Sequence, residues 1–232
     1  MEQDMRKCFS EAIQVSSGQF GSVVTGNKCI GILCTPTIEP GDYHQLLKQC
    51  LIYHHSAHRQ IIRMSLRMDS DPVSAWLNGE ILFHADAASA CLSDLETLGV
   101  AVPDPSIDTA VGKSTTCQLL LQQMRAYVDD VNVFGLLGQQ SVLCTMTAAF
   151  QPVLAERLAK TPAIPKNATQ FLQYVTFSER IQALLYIREF VDSLATPCNS
   201  DQFIEARQIA LQTFSELPLE VLKTQPPEQE AH

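Results

Sequence analysis

A chain of 232 residues, 46% apolar and 18% charged, is long enough for one well-filled core and too apolar to be disordered. Its formal net charge of −9, with basic residues scattered singly, argues against nucleic acid as partner, because phosphate-backbone affinity comes from clustered Lys and Arg. The opening MEQDMRKCFSEA lacks the apolar core of a signal peptide and no apolar run reaches a bilayer span, so a soluble, cytoplasmic chain without membrane association is expected.

With only 10 glycines and little β-branched alternation, the composition leans towards helix. A first helix is expected over Gln3 to Val15, fading into the glycines of SSGQFGSVVTGN. An irregular stretch, CIGILCTPTIEPGD, then announces a helix from Tyr43 to about Met68, where Leu46, Leu47, Cys50, Leu51, Ile61, Ile62 and Met64 recur at helical spacing. Asp69 to Pro72 ends it, and Asp71 before Pro72 reads as an N-cap with proline at the first helical position. The next helix runs to Leu98 and is closed by Gly99. Beyond a loop with Pro103 and Pro105 follow helices over Thr115 to Val131 and Val133 to Lys160, the latter with Gly135 and Gly138 expected to loosen its first turns. After the linker TPAIPKNA come helices over Thr169 to Leu194 and Asp201 to Leu217. Together these predict an all-α fold, a single bundle of six to seven helices over residues 1–222, followed by a disordered polar tail at 223–232.

Two features invite a functional reading and lose it. Val111-Gly112-Lys113-Ser114-Thr115 has the tail of a phosphate-binding loop, but the position of its first glycine holds Ile107, and a helix N-terminus capped by Ser114 explains it more simply. None of the eight cysteines forms a Cys-x-x-Cys pair, so reduced thiols are expected, with Cys91 and Cys144 as packing residues. Trp76, near a helix start, reads as core.

Histidine is more informative. Four of the 6 histidines fall between Tyr43 and Arg59, and His54 and His58 are spaced i and i+4, which puts both rings on one side of a helix. Glu80 and His84 repeat that spacing on the next helix. Two such helices joined by a short turn pack antiparallel, so His54, His58, Glu80 and His84 are the candidate metal ligands, a donor set suited to iron, manganese or zinc. The competing reading leaves His54, His55 and His58 on a solvated flank, with Glu80 paired locally and no cofactor at all.

The stretch from Glu80 through His84 to Asp94-Leu95-Glu96-Thr97-Leu98-Gly99 resembles the central helix of the heme-oxygenase-like superfamily, whose iron-containing oxidases close it with Asp-Leu-x-x-Leu-Gly. Glu39-Pro40-Gly41-Asp42-Tyr43 ahead of a long helix, and Glu205 to Phe214, are similar to other helices of that superfamily. An ungapped alignment on Asp94-Leu95 puts His84 where the family has its glutamate ligand and Ala87 where it has its histidine. The region matching the third ligand helix, Phe171 to Gln182, contains no histidine. The resemblance therefore implies the superfamily's helical bundle without a standard di-iron centre. By analogy with thiaminases and the pyrroloquinoline-quinone synthase, it implies an enzyme enclosing a small organic substrate, with oxidative chemistry expected. The alternative is a catalytically silent relative or helical adaptor that binds a small ligand, a second copy of itself or a partner enzyme.

Overall fold

The computed structural model describes residues 38–68, 71–102, 115–174, 177–194 and 196–223. Within them lie seven α-helices and no strand: α1 (Pro40–Ser65), α2 (Asp71–Thr97), α3 (Thr115–Asp129), α4 (Val133–Ala159), α5 (Gln170–Tyr174), α6 (Phe177–Leu194) and α7 (Pro197–Lys223), with a 3-10 turn at Lys166–Ala168 before α5. The expected helix over 3–15, the Gly112-Lys113-Ser114 motif and the tail at 224–232 fall outside the described residues.

Local chemistry sets the ends. Pro40 opens α1, with Asp42 in its first turn facing the positive end of the helix dipole. Gly99 closes α2 with φ +66°, while the Val100 amide donates back to the Leu95 carbonyl at 3.0 Å. The Asn132 side chain accepts from the Gly135 amide at 2.8 Å and caps α4. The helix expected over 169–194 is instead two, α5 and α6. The start of α5 is fixed from a distance: the buried Asp94 carboxylate accepts from the Gln170 and Phe171 amides at 2.8 and 2.9 Å. Nearby, the Tyr43 hydroxyl donates to the Ala168 carbonyl at 3.0 Å. Asp94→Ala leaves two helix-start amides unpaired, that of Phe171 buried, and is expected to lower the unfolding free energy by about 2 kcal/mol. Chemical denaturation measures that loss, and amide hydrogen exchange should quicken first at residues 170 and 171.

The helices α1 and α2 pack along much of their length, and α4 packs on α6 and α7. Helix α3 joins the two halves by touching α1, α4 and α7. The glycines of α4 do not loosen it. A Cβ at Gly138 would stand 2.5 Å from the Phe203 carbonyl oxygen, and one at Gly135 would stand 2.6 Å from the Tyr127 ring, so both allow neighbouring elements to approach a regular helix. Helix α4 is long and apolar enough to cross a membrane, but 81% of its most apolar window is buried inside the bundle, which makes it the core helix.

The apolar interior divides into two clusters. One gathers Ile52, Leu77, Leu120, Met124, Leu136, Leu137, Ile187 and Phe203; the other gathers Tyr43, Leu47, Leu51, Phe83, Leu95, Leu158 and Phe171. Residues 51 and 52 are neighbours on α1 yet belong to different clusters, so a seam between the two crosses α1 there.

Candidate functional site

Polar side chains occupy that seam. Tyr53 and His54 on α1, Glu80 and His84 on α2, Gln140 and Cys144 on α4, and Arg180 on α6 are all buried. Their placement follows from helix geometry. Glu80 and His84 lie one turn apart on the buried side of α2, together with Leu77, Ala87 and Cys91. Gln139, Gln140 and Ser141 are consecutive on α4, so successive rotations of about 100° aim them at three different neighbours. The Gln139 amide donates to the Leu120 carbonyl on α3 at 2.8 Å, Ser141 accepts from Arg207 on α7 at 2.6 Å, and Gln140 turns to Tyr53 and His84.

The centre of the site is a line of three groups. The Nδ1 atoms of His54 and His84 are 2.8 Å apart, which requires one ring to be protonated there and the other bare. On its other edge His84 places Nε2 3.8 Å from Glu80 Oε2. Aromatic rings wall the line: His54 meets Tyr53, Phe83 and Phe171 edge-on at centroid distances of 5.5, 5.6 and 5.8 Å. Arg180 lays its guanidinium 3.4 Å above the Phe83 ring and points Nη1 at the Cys144 sulfur, 3.8 Å away.

Burial dominates the electrostatics. It pushes the Glu80 carboxyl up to about 7, with Arg180 pulling weakly the other way. Burial, reinforced by Arg180, brings His54 down to about 3. Burial and His54 hold His84 well below the usual histidine range. Near neutrality both rings are therefore uncharged and Glu80 is poised between its two forms. The Cys144 thiol is pushed up to about 12, again by burial, and stays protonated.

Three of the four expected ligands come together, and His58 does not: its Nδ1 bonds the Ile81 carbonyl at 3.0 Å on the flank of the helix pair. Ligands of one metal must converge on a point, whereas His54 and Glu80 lie against opposite edges of the same imidazole. Among the described residues no group of three or more His, Cys, Asp or Glu stands where it would hold a metal ion. As arranged, the donors do not fit a resident iron or manganese. They do fit the movement of a proton along Glu80, His84 and His54.

Arg180, Gln140 and Tyr53 complete the site and escaped the sequence reading. The one signal, for Gln140 alone, was a run of three polar residues, Gln139 to Ser141, inside the most apolar of the described helices.

The helix order and packing define an all-α bundle of the heme-oxygenase-like fold, as the resemblance implied. It is similar to the crystal structure of a domain of unknown function with a heme oxygenase-like fold from Shewanella denitrificans OS217, with a TM-score of 0.73 and 13% identity over 96% of this chain and 98% of that one. No protein-family model matches the sequence, and no curated protein does.

Proposed function

We propose that this chain is an enzyme that encloses a small organic molecule at the seam of its bundle and exchanges a proton with it through Glu80 and His84. One observation carries the reading. Glu80 Oε2, His84 Nε2, both polar atoms of the Gln140 amide and Arg180 Nε are buried with no hydrogen-bond partner. Although the Gln140 amide is near enough to bias Tyr53 and His84, it completes a bond with neither. Each orphaned polar atom costs about 1–3 kcal/mol, so a folded chain that keeps five around one point gains from a ligand that satisfies them.

In such a complex Glu80, balanced near neutrality, gives or takes the proton, since transfer is most effective when the group's pKa sits close to the working pH. Neutral His84 accepts at one nitrogen and donates at the other, passing the charge to His54 without either ring leaving its place. The aromatic wall excludes water and so strengthens these interactions. Redox chemistry is not assigned, because the donors present form a line rather than a chelate.

Nitrogen-15 labelling of histidine and a screen of a metabolite library test this. Binders are expected to shift the His54 and His84 ring resonances together, and His84→Gln should abolish their binding. Ligands that move only the flank residues His44 and His58 would put binding elsewhere. Uptake of stoichiometric iron or manganese by the wild type but not by His84→Gln would replace proton transfer with metal chemistry.

A further inference from the structure

We infer that Arg180 is the anchor for a carboxylate group on the small molecule, which makes the substrate an organic acid. The inference rests on the functional reading above and adds the substrate's chemical class. The Arg180 side chain, only 6% exposed, sits over Phe83, so it is held in place before anything binds. Among the described residues its polar contact is to the thiol of Cys144 at 3.8 Å, a weak acceptor, while Nε has none. Among the described residues it forms no ion pair. The carboxyl closest to it in influence, Glu80, is itself held back from full ionisation by burial.

A buried guanidinium lacking an anion is costly, and the fork of N–H donors it presents matches a carboxylate two bonds at a time. A carboxylate at Arg180 would satisfy the Nε donor left open by the fold. The rest of the ligand would then lie towards Gln140 and His84 Nε2, which offer donors and an acceptor for a second polar group. The same geometry discriminates against cationic and strongly basic molecules, which would bring a second positive charge into the buried seam beside Arg180.

Matched pairs of simple probes separate this inference from the reading it rests on. Acetate with acetamide, and benzoate with benzamide, are titrated at constant ionic strength into the full chain with labelled histidine, alongside Arg180→Gln and Arg180→Lys. Carboxylates are expected to bind the wild type at least 10-fold more tightly than their amides and to shift His84. Arg180→Gln should erase that preference, and Arg180→Lys, which keeps the charge and guards against a folding defect, should retain only part of it. If amides shift His84 as well as carboxylates do, the pocket for small molecules stands and the organic-acid assignment falls. Carboxylates that bind Arg180→Gln and Arg180→Lys as tightly as wild type overturn the assignment equally. Probes that leave His54 and His84 unmoved in every protein overturn both.

Discussion

At pH 5 the folded chain is expected to be less stable than at pH 7, and Glu80→Gln is expected to widen that gap by about 2 kcal/mol. The signs come from three buried groups pulling in opposite directions. His54 titrates near 3 when folded and near 6.5 when unfolded, so below pH 6.5 the unfolded chain takes up a proton that the folded chain refuses. His84 is depressed in the same sense. Between pH 7 and 5 His54 therefore removes about 2 kcal/mol of stability, and His84 removes further stability in the same direction. Glu80 works the other way: raised from 4.5 to about 7, it holds its proton in the folded state while the unfolded chain releases it, so it destabilises as pH climbs through that window. Acidification returns about 2 kcal/mol from this group, and glutamine forgoes that return. Guanidinium unfolding of both proteins at the two pH values measures it. Equal gaps would show that Glu80 is not held neutral by its surroundings.

Gly138→Val is expected to cost about 3 kcal/mol or more, the upper end for forcing volume into a filled interior. The new Cβ alone would stand 2.5 Å from the Phe203 carbonyl oxygen and 2.9 Å from the Ala206 Cβ. Backbone is the obstacle, so no side-chain rotation relieves it, and α4 and α7 must separate. Gly79→Val is the control on the surface, where nothing lies within 4 Å of a Cβ and only helix propensity changes. A thermal melt in which the two variants fall equally would refute the close approach.

The sequence carried the helices well because their signals are local. Periodicity, Pro40 and Gly99 mark ends that the structure keeps within a few residues. The division into α5 and α6 was hidden because α5 begins on a carboxylate contributed by Asp94, 76 positions away from Gln170. That gives the Asp-Leu-x-x-Leu-Gly motif a structural part in this chain, because its aspartate holds one part of the bundle to another.

The candidate site was half readable. Spacing brought His54, Glu80 and His84 to one helix pair, since residues four apart share a side and adjoining helices pack. The same rule misplaced His58, because a step of four overshoots a full turn by about 40°, enough to swing its ring from the seam to the Ile81 carbonyl. Arg180 and Gln140 could not be joined to the pair from spacing, as they arrive from helices whose approach is set by tertiary packing.

The three successive polar side chains of α4 leave the chain intolerant of a change in count. Losing one codon between Val133 and Leu137 would turn everything after it by about 100° relative to the residues before, so the amide now at Gln140 would swing away from His84 and the hydroxyl of Ser141 would abandon Arg207. A substitution along α4 disturbs one contact at a time, but a shortened helix would mispair every buried polar contact at once. Length polymorphism in descendants of this gene should therefore collect in the connections between helices and spare this segment.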